Sequence, residues 1–191
     1  MTTQNGTPAA RTALQDTNAL NGAVSVRELP LSGKIAVRGA ADDAAFAATL
    51  APGDNPLPTA VGERAEADGV RVVCLGPDEW QVHVPLDRVD AEVTRLRDGF
   101  GTAHSAVVDV SDYFTVLELG GVATREVLAK LTPLDVSAQA LPAGSTRQTR
   151  MAKCTVLLTI QSDHCARLQV RWSHAEYLHD YLVEAAREFN L

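Results

Sequence analysis

No apolar run in the 191-residue chain approaches the ~20 residues that carry a helix across a bilayer. The opening stretch, MTTQNGTPAARTALQDTNAL, lacks the apolar core of a secretory signal, so the expectation is a cytoplasmic protein. Positive charge is also short: 17 Lys and Arg stand against 24 Asp and Glu, for a net charge of −7. The cations are scattered and form no stripe, which argues against nucleic acid as a partner. Cysteine is sparse and odd in number, at positions 74, 154 and 165. Cys74 and Cys154 sit inside apolar runs where a thiol acts as a small buried hydrophobe, so no disulfide framework is expected. Neither G-x-G-x-x-G nor a P-loop Lys-Ser/Thr is present, and Gly120-Gly121 reads as a tight bend before a helix rather than a phosphate cradle.

What the chain does have is 46% apolar residues, enough for one domain or two small, intimately packed halves. Residues 1–27 show little periodicity and read as a flexible N-terminal arm that orders only against something else. Ile35 and Val37 then alternate as a strand, Gly39 allows a bend, and a helix follows with Asp42 and Asp43 in its first turn. The Pro- and Gly-rich stretch 51–69 reads as a long loop. VRVVCL (70–75) and EWQVHV (79–84) flank a Gly76-Pro77-Asp78 turn. Val89, Val93, Leu96 and Phe100 recur at helical spacing behind Asp87 as N-cap.

The pattern then returns at an offset of about eighty residues. Residues 107–130 read as a strand running into a helix, with Leu117 and Leu119 before Gly121 as Ile35 and Val37 stand before Gly39. A second loop (132–150) precedes strands CTVLLTI (154–160) and ARLQVRW (166–172). A closing helix carries Ser173 and Glu176 as a capping box, with Tyr177, Leu178, Tyr181, Leu182, Ala185 and Phe189 along one face. Each half reads strand, helix, loop, two strands, helix. The expected fold is α+β: two pseudo-repeated ferredoxin-like (split β-α-β) halves, 28–103 and 104–191, packed as one compact body.

Candidate chemistry is thin. Asp109 and Asp112 have the i, i+3 spacing of a general acid/base pair, which is equally the spacing of turn and cap residues, and the structural reading is preferred. His164, Cys165 and Cys154 lack zinc-ligand spacing. His174 and His179 are five apart, on different helix faces, and are expected at a surface or interface. Cys154 has only Lys153 near it to lower its pKa and reads as a buried strand residue. Trp80 and Trp172 are expected to fill a core or anchor a subunit contact. No catalytic, cofactor-binding or metal-binding residue is assigned.

Five stretches carry a resemblance: ELPLSGKIAVRGAADDAAF (28–46), LGPDEWQVHVP (75–85), AVVDVSDYFTVLELGGVATREVLAKLTPLDV (106–136), LPAGSTRQTRMAK (141–153) and RWSHAEYLHDYLVEAAREF (171–189). In this order they resemble the gamma subunit of heterotetrameric sarcosine oxidase. The second half is similar, more distantly, to the folate-binding portion of glycine-cleavage aminomethyltransferases, where an acidic pair falls at the positions of Cys154 and Thr155 here. A thiol and a hydroxyl cannot replace those carboxylates at neutral pH.

The resemblance implies a non-catalytic chain that contributes to assembly or stability and has no cofactor of its own. Alpha, beta and delta subunits would carry FAD, FMN, NAD and tetrahydrofolate. The complex would oxidatively demethylate sarcosine to glycine, giving peroxide and methylenetetrahydrofolate or formaldehyde. Two alternatives stay open at this point: a free-standing folate-dependent methyl or aminomethyl transferase, and a gamma-type subunit serving another N-methyl amino acid oxidase, such as one for dimethylglycine.

Overall fold

The computed structural model describes residues 12–14 and 21–191. The first stretch of the fold holds β1 (Val24–Glu28), β2 (Gly33–Arg38), α1 (Ala44–Leu50), β3 (Arg64–Ala67), β4 (Val70–Gly76), β5 (Glu79–Val84) and α2 (Val89–Phe100). The second holds β6 (Ala106–Asp109), β7 (Phe114–Gly121), α3 (Thr124–Leu131), β8 (Thr146–Met151), β9 (Cys154–Ser162), β10 (Cys165–Arg171) and α4 (Ala175–Ala186). The strands make two antiparallel five-stranded sheets, ordered β1-β7-β10-β9-β8 and β3-β4-β5-β2-β6. The fold is thus mixed α+β with two sheets. No helix among the described residues is long and apolar enough to cross a membrane.

Each sheet buries one face under two helices because its strands alternate. Ile35, Val37, Val72, Cys74, Trp80 and Val82 meet Phe46 and Leu50 of α1 and Leu96 and Phe100 of α2. Phe46 stacks on Phe100 with ring centroids 4.6 Å apart and lies 5.4 Å from Trp80, contacts worth about 0.5–1.5 kcal/mol each beyond the area they bury. Gly39 is required here, since a Cβ would fall 2.2 Å from the Phe46 ring. In the other core Leu117, Leu119, Leu158 and Leu168 meet Val127 and Leu128 of α3 and Leu178 and Leu182 of α4.

Several expectations need correction. The segment assigned to a flexible arm contains all of β1 but its last residue, and β1 pairs with β7 from Val24↔Gly121 to Glu28↔Leu117. Leu14 is buried in the β7 core, and the Ala13 and Leu14 amides donate to the Glu28 carboxylate at 2.9 and 2.8 Å. The rest of the expected arm, 1–11 and 15–20, lies outside the described residues. The stretch read as one strand running into a helix is two strands in two sheets: β6 joins β2, and β7 joins β1 and β10. The two long loops each end in a strand, β3 and β8, whose sequences RAEA and TRQTRM offer only alanines and one methionine as apolar positions.

Three helix starts also differ. Asp43 is the N-cap of α1, accepting from Ala45 N and Phe46 N at 2.9 and 3.0 Å, so Asp42 and Asp43 both precede the first turn. A 3₁₀ turn, Leu86–Arg88, leads into α2, and another, Trp172–His174, leads into α4. The cap positions fall to Arg88 and His174, near φ −100, ψ −3 and φ −110, ψ 4, without side-chain cap bonds. The extended backbone that lets a cap side chain reach back is absent at both, so neither the Asp87 cap nor the Ser173–Glu176 box forms.

Candidate functional site

The faces turned away from the helices are polar, and they meet. Period-two alternation places Lys34, Arg71, Gln81 and His83 on one such face and Glu118, Arg167 and Gln169 on the other. Gln169 Nε2 donates to Gln81 Oε1 at 2.7 Å, joining the sheets through two buried side chains. Beside this pair lies a cleft of about 460 Å³, floored by the crossover Leu29–Ser32 and lined by Arg64, Glu66, Arg71, His83, Gln161, Arg167 and Gln169. Leu31, Val73, Val116 and Leu157 supply apolar wall.

The electrostatics of the cleft follow from burial and crowded cations. Burial pushes the His83 imidazole down to about 3, and Lys34 and Arg71 add to the effect, so His83 is neutral at ordinary pH. Burial lowers Lys34 to about 8, with Asp109 opposing, while its Nζ donates to Ser32 O and Oγ at 3.0 and 3.2 Å. Burial likewise lowers Arg64; repulsion from Arg71 and Arg167 acts in the same direction and the Glu66 carboxylate opposes it. Arg71 pairs with Glu66 at 2.7 Å. Arg167 pairs at 3.1 Å with Glu118, whose other oxygen takes Arg27. Burial would raise Glu118, but bonds from Arg27 and Arg167 outweigh it and leave that carboxyl lowered. Buried atoms without a hydrogen-bond partner among the described residues include His83 Nε2, Gln161 Nε2 and Gln169 Oε1, all on this cleft.

The residues singled out in the sequence lie elsewhere. Asp109 accepts from Ser111 N at 2.9 Å and Ser111 Oγ at 2.6 Å, and Ser111 Oγ accepts from Lys34 N at 3.0 Å. The Asp-Val-Ser-Asp segment is therefore the corner at which the chain leaves one sheet for the other. Asp112 sits in the exposed 3₁₀ turn that follows. Cys74 and Cys154 are free and buried in the two cores, and burial raises both thiols. Thr155, beside Cys154, is exposed. His164 is exposed, and no group of three or more metal-ligating side chains occurs among the described residues.

His179, expected at a surface or interface, is buried within this chain, with Nδ1 3.4 Å from Asp180 Oδ1. The two tryptophans diverge. Trp80 is in the core with Nε1 donating to Pro58 O at 2.8 Å, whereas Trp172 follows the end of β10 and is 60% exposed.

A family model described as sarcosine oxidase, gamma subunit family, matches residues 38–188. The chain belongs to the sarcosine oxidase gamma subunit family. Among its members, the subunit from an Arthrobacter species is 34% identical over 172 residues, 88% of this chain and 82% of that one. The subunit from Corynebacterium sp. strain U-96 is 30% identical over 169 residues, with the same coverage.

A chain of the heterotetrameric sarcosine oxidase from Corynebacterium sp. U-96, solved with pyrrole 2-carboxylate, superposes with a TM-score of 0.80 at 28% identity, covering 94% of this gamma-family chain and 92% of its own. Aminomethyltransferase T of the glycine cleavage system from Bartonella henselae shares the fold: its TM-score is 0.64 at 15% identity, over 85% of this chain and 46% of that enzyme. Arg64, Arg71, His83, Arg167 and Gln169 escaped the sequence reading. Their one signal is polar residues at alternate positions of strands whose other face is apolar, which looks the same when that face meets solvent.

Proposed function

We propose that this gamma-family chain is the non-catalytic subunit of a heterotetrameric sarcosine oxidase, serving assembly and stability of the holoenzyme. The observation that carries the reading is the near-complete superposition on a chain of such an oxidase, with neither protein leaving a large unmatched portion. The non-catalytic role is supported by where the reactive groups lie. Asp109 is committed to a backbone corner, and Cys154 faces a core. The redox and folate chemistry falls to the alpha, beta and delta subunits with FAD, FMN, NAD and tetrahydrofolate, and the assembly is cytoplasmic.

The same reading extends to the architecture. The order β4-β5-β2-β6 is that of a split β-α-β unit, and β9-β10-β7-β1 repeats it with the last strand supplied from the start of the chain. Two ferredoxin-like halves, dividing near residues 103 and 104, have exchanged one strand each. Such an exchange ties the halves together before any partner binds.

Co-expression with and without the neighbouring subunits tests the function. The expected result is a colourless lone chain that enters a yellow heteromer of higher native mass. A stable monomer that turns over an amine substrate by itself overturns it.

A further inference from the structure

We propose that the cleft between the sheets binds a small N-acylated amino acid, its carboxylate held by Arg64 and its amide by Gln161 and Gln169. The volume of about 460 Å³ falls within the ~300–1,000 Å³ of small-molecule sites. Of the three arginines lining it, Arg71 pairs with Glu66, and Arg167 pairs with Glu118, which it shares with Arg27. Arg64 makes no hydrogen bond or ion pair among the described residues, so one planar fork of donors is left for an oxyanion.

The neutral groups narrow the class. Gln169 is 6% exposed, and its Oε1 has no donor; Gln161 Nε2 is buried and has no acceptor. Leaving such buried atoms unpaired is unfavourable, and a secondary amide presents the missing N–H and C=O together. A free amine would add a cation to a cleft where three arginines already face only Glu66 and a Glu118 shared with Arg27, so an acylated, uncharged nitrogen is the better match. The acyl group then lies on Leu31, Val73, Val116 and Leu157. Water alone would also satisfy the amides, but it would leave Arg64 without an anion and the apolar wall wet.

The inference does not rest on the subunit reading, because every group named belongs to this chain. Titration calorimetry of the full chain with hippurate (N-benzoylglycine) is expected to give a Kd below about 1 mM, at least about tenfold tighter than hippuramide or glycine. Affinity should fall as salt rises. Arg64→Met should weaken hippurate about tenfold or more with little change in Tm, since the cation it removes has no hydrogen-bonded partner and repulsion from Arg71 and Arg167 offsets the attraction of Glu66. If the lone chain does not stay in solution, the same titration is run on the assembled complex, where Arg64→Met separates this cleft from sites on partners. Absence of binding at 10-fold above that Kd, or hippurate affinity unchanged in both Arg64→Met and Gln169→Leu, overturns the proposal and leaves a hydrated gap only.

Discussion

Gln169 of one sheet donates to Gln81 of the other at 2.7 Å, and both side chains are buried. This bond links a face carrying Lys34, Arg71 and neutral His83 to one carrying Glu118 and Arg167. Removing one partner strands the other's amide in a water-poor space, which costs about 1–3 kcal/mol. Gln81→Leu or Gln169→Leu alone is therefore expected to lower stability by that amount. The double variant should recover part of the loss, because neither amide then lacks a partner. Urea titration of the four proteins in the cycle checks the sign of the coupling.

His83 faces Lys34 on β2 and Arg71 on β4, and its imidazole is held down at about 3 from an ordinary 6.5. The unfolded chain takes up this proton as pH falls below about 6.5, whereas the native chain refuses it until about 3. Native stability is thus fully present above about pH 6.5 and is lost on acidification toward 3. The expected loss attributable to this group is roughly 2 kcal/mol between about pH 6.5 and 4.5. His83→Gln should flatten that slope in denaturant titrations at the two pH values, while a variant that keeps it would show that other groups set the acid limit.

Much of the two cores was legible in the sequence. Ile35, Val37, Leu117 and Leu119 announce their strands by alternation, and Leu96 and Phe100 their helix by spacing. What was not legible depends on partners distant in the chain. Val24 and Val26 look like any short apolar pair until β7 is placed beside them, and RAEA becomes a strand only because β4 offers it an edge. The caps failed for a local reason: a 3₁₀ turn before α2 and α4 took up the residues whose side chains suit an N-cap. The cleft stayed hidden because Arg71, His83 and Arg167 read as solvent-facing positions. Only the meeting of two sheets, a matter of topology, turns them inward.

Trp80 and Trp172 make a paired test of core against surface. Trp80 is buried, packs near Phe46 and donates to Pro58 O, so Trp80→Ala should cost about 3–5 kcal/mol. Trp172 is 60% exposed at a shallow depression it shares with Tyr113. Trp172→Ala should change stability by no more than about 0.5 kcal/mol. In the assembly proposed above it should weaken subunit association by about 2 kcal/mol, the loss typical of an aromatic anchor. Thermal unfolding of the chain and native mass of the co-expressed complex separate the two effects, and an unaltered complex would move the partner surface away from Trp172.

Asp109 remains the residue that a search for catalytic carboxylates would choose first. Its oxygen takes both the amide and the hydroxyl of Ser111, and Ser111 takes the amide of Lys34 in β2. The carboxylate also favours the charged form of the buried Lys34 ammonium, so its removal should lower that lysine further below about 8. Asp109→Ala is expected to destabilise the chain by about 0.5–1.5 kcal/mol, the effect of hydrogen bonds lost at a partly exposed corner. Turnover per assembled complex should be unchanged, because the carboxylate is bound to its own backbone corner and has no oxygen committed to a substrate. Asp109→Asn keeps one acceptor for Ser111 and should restore most of the stability. A variant that folds and assembles like wild type yet loses turnover would place Asp109 in the chemistry after all.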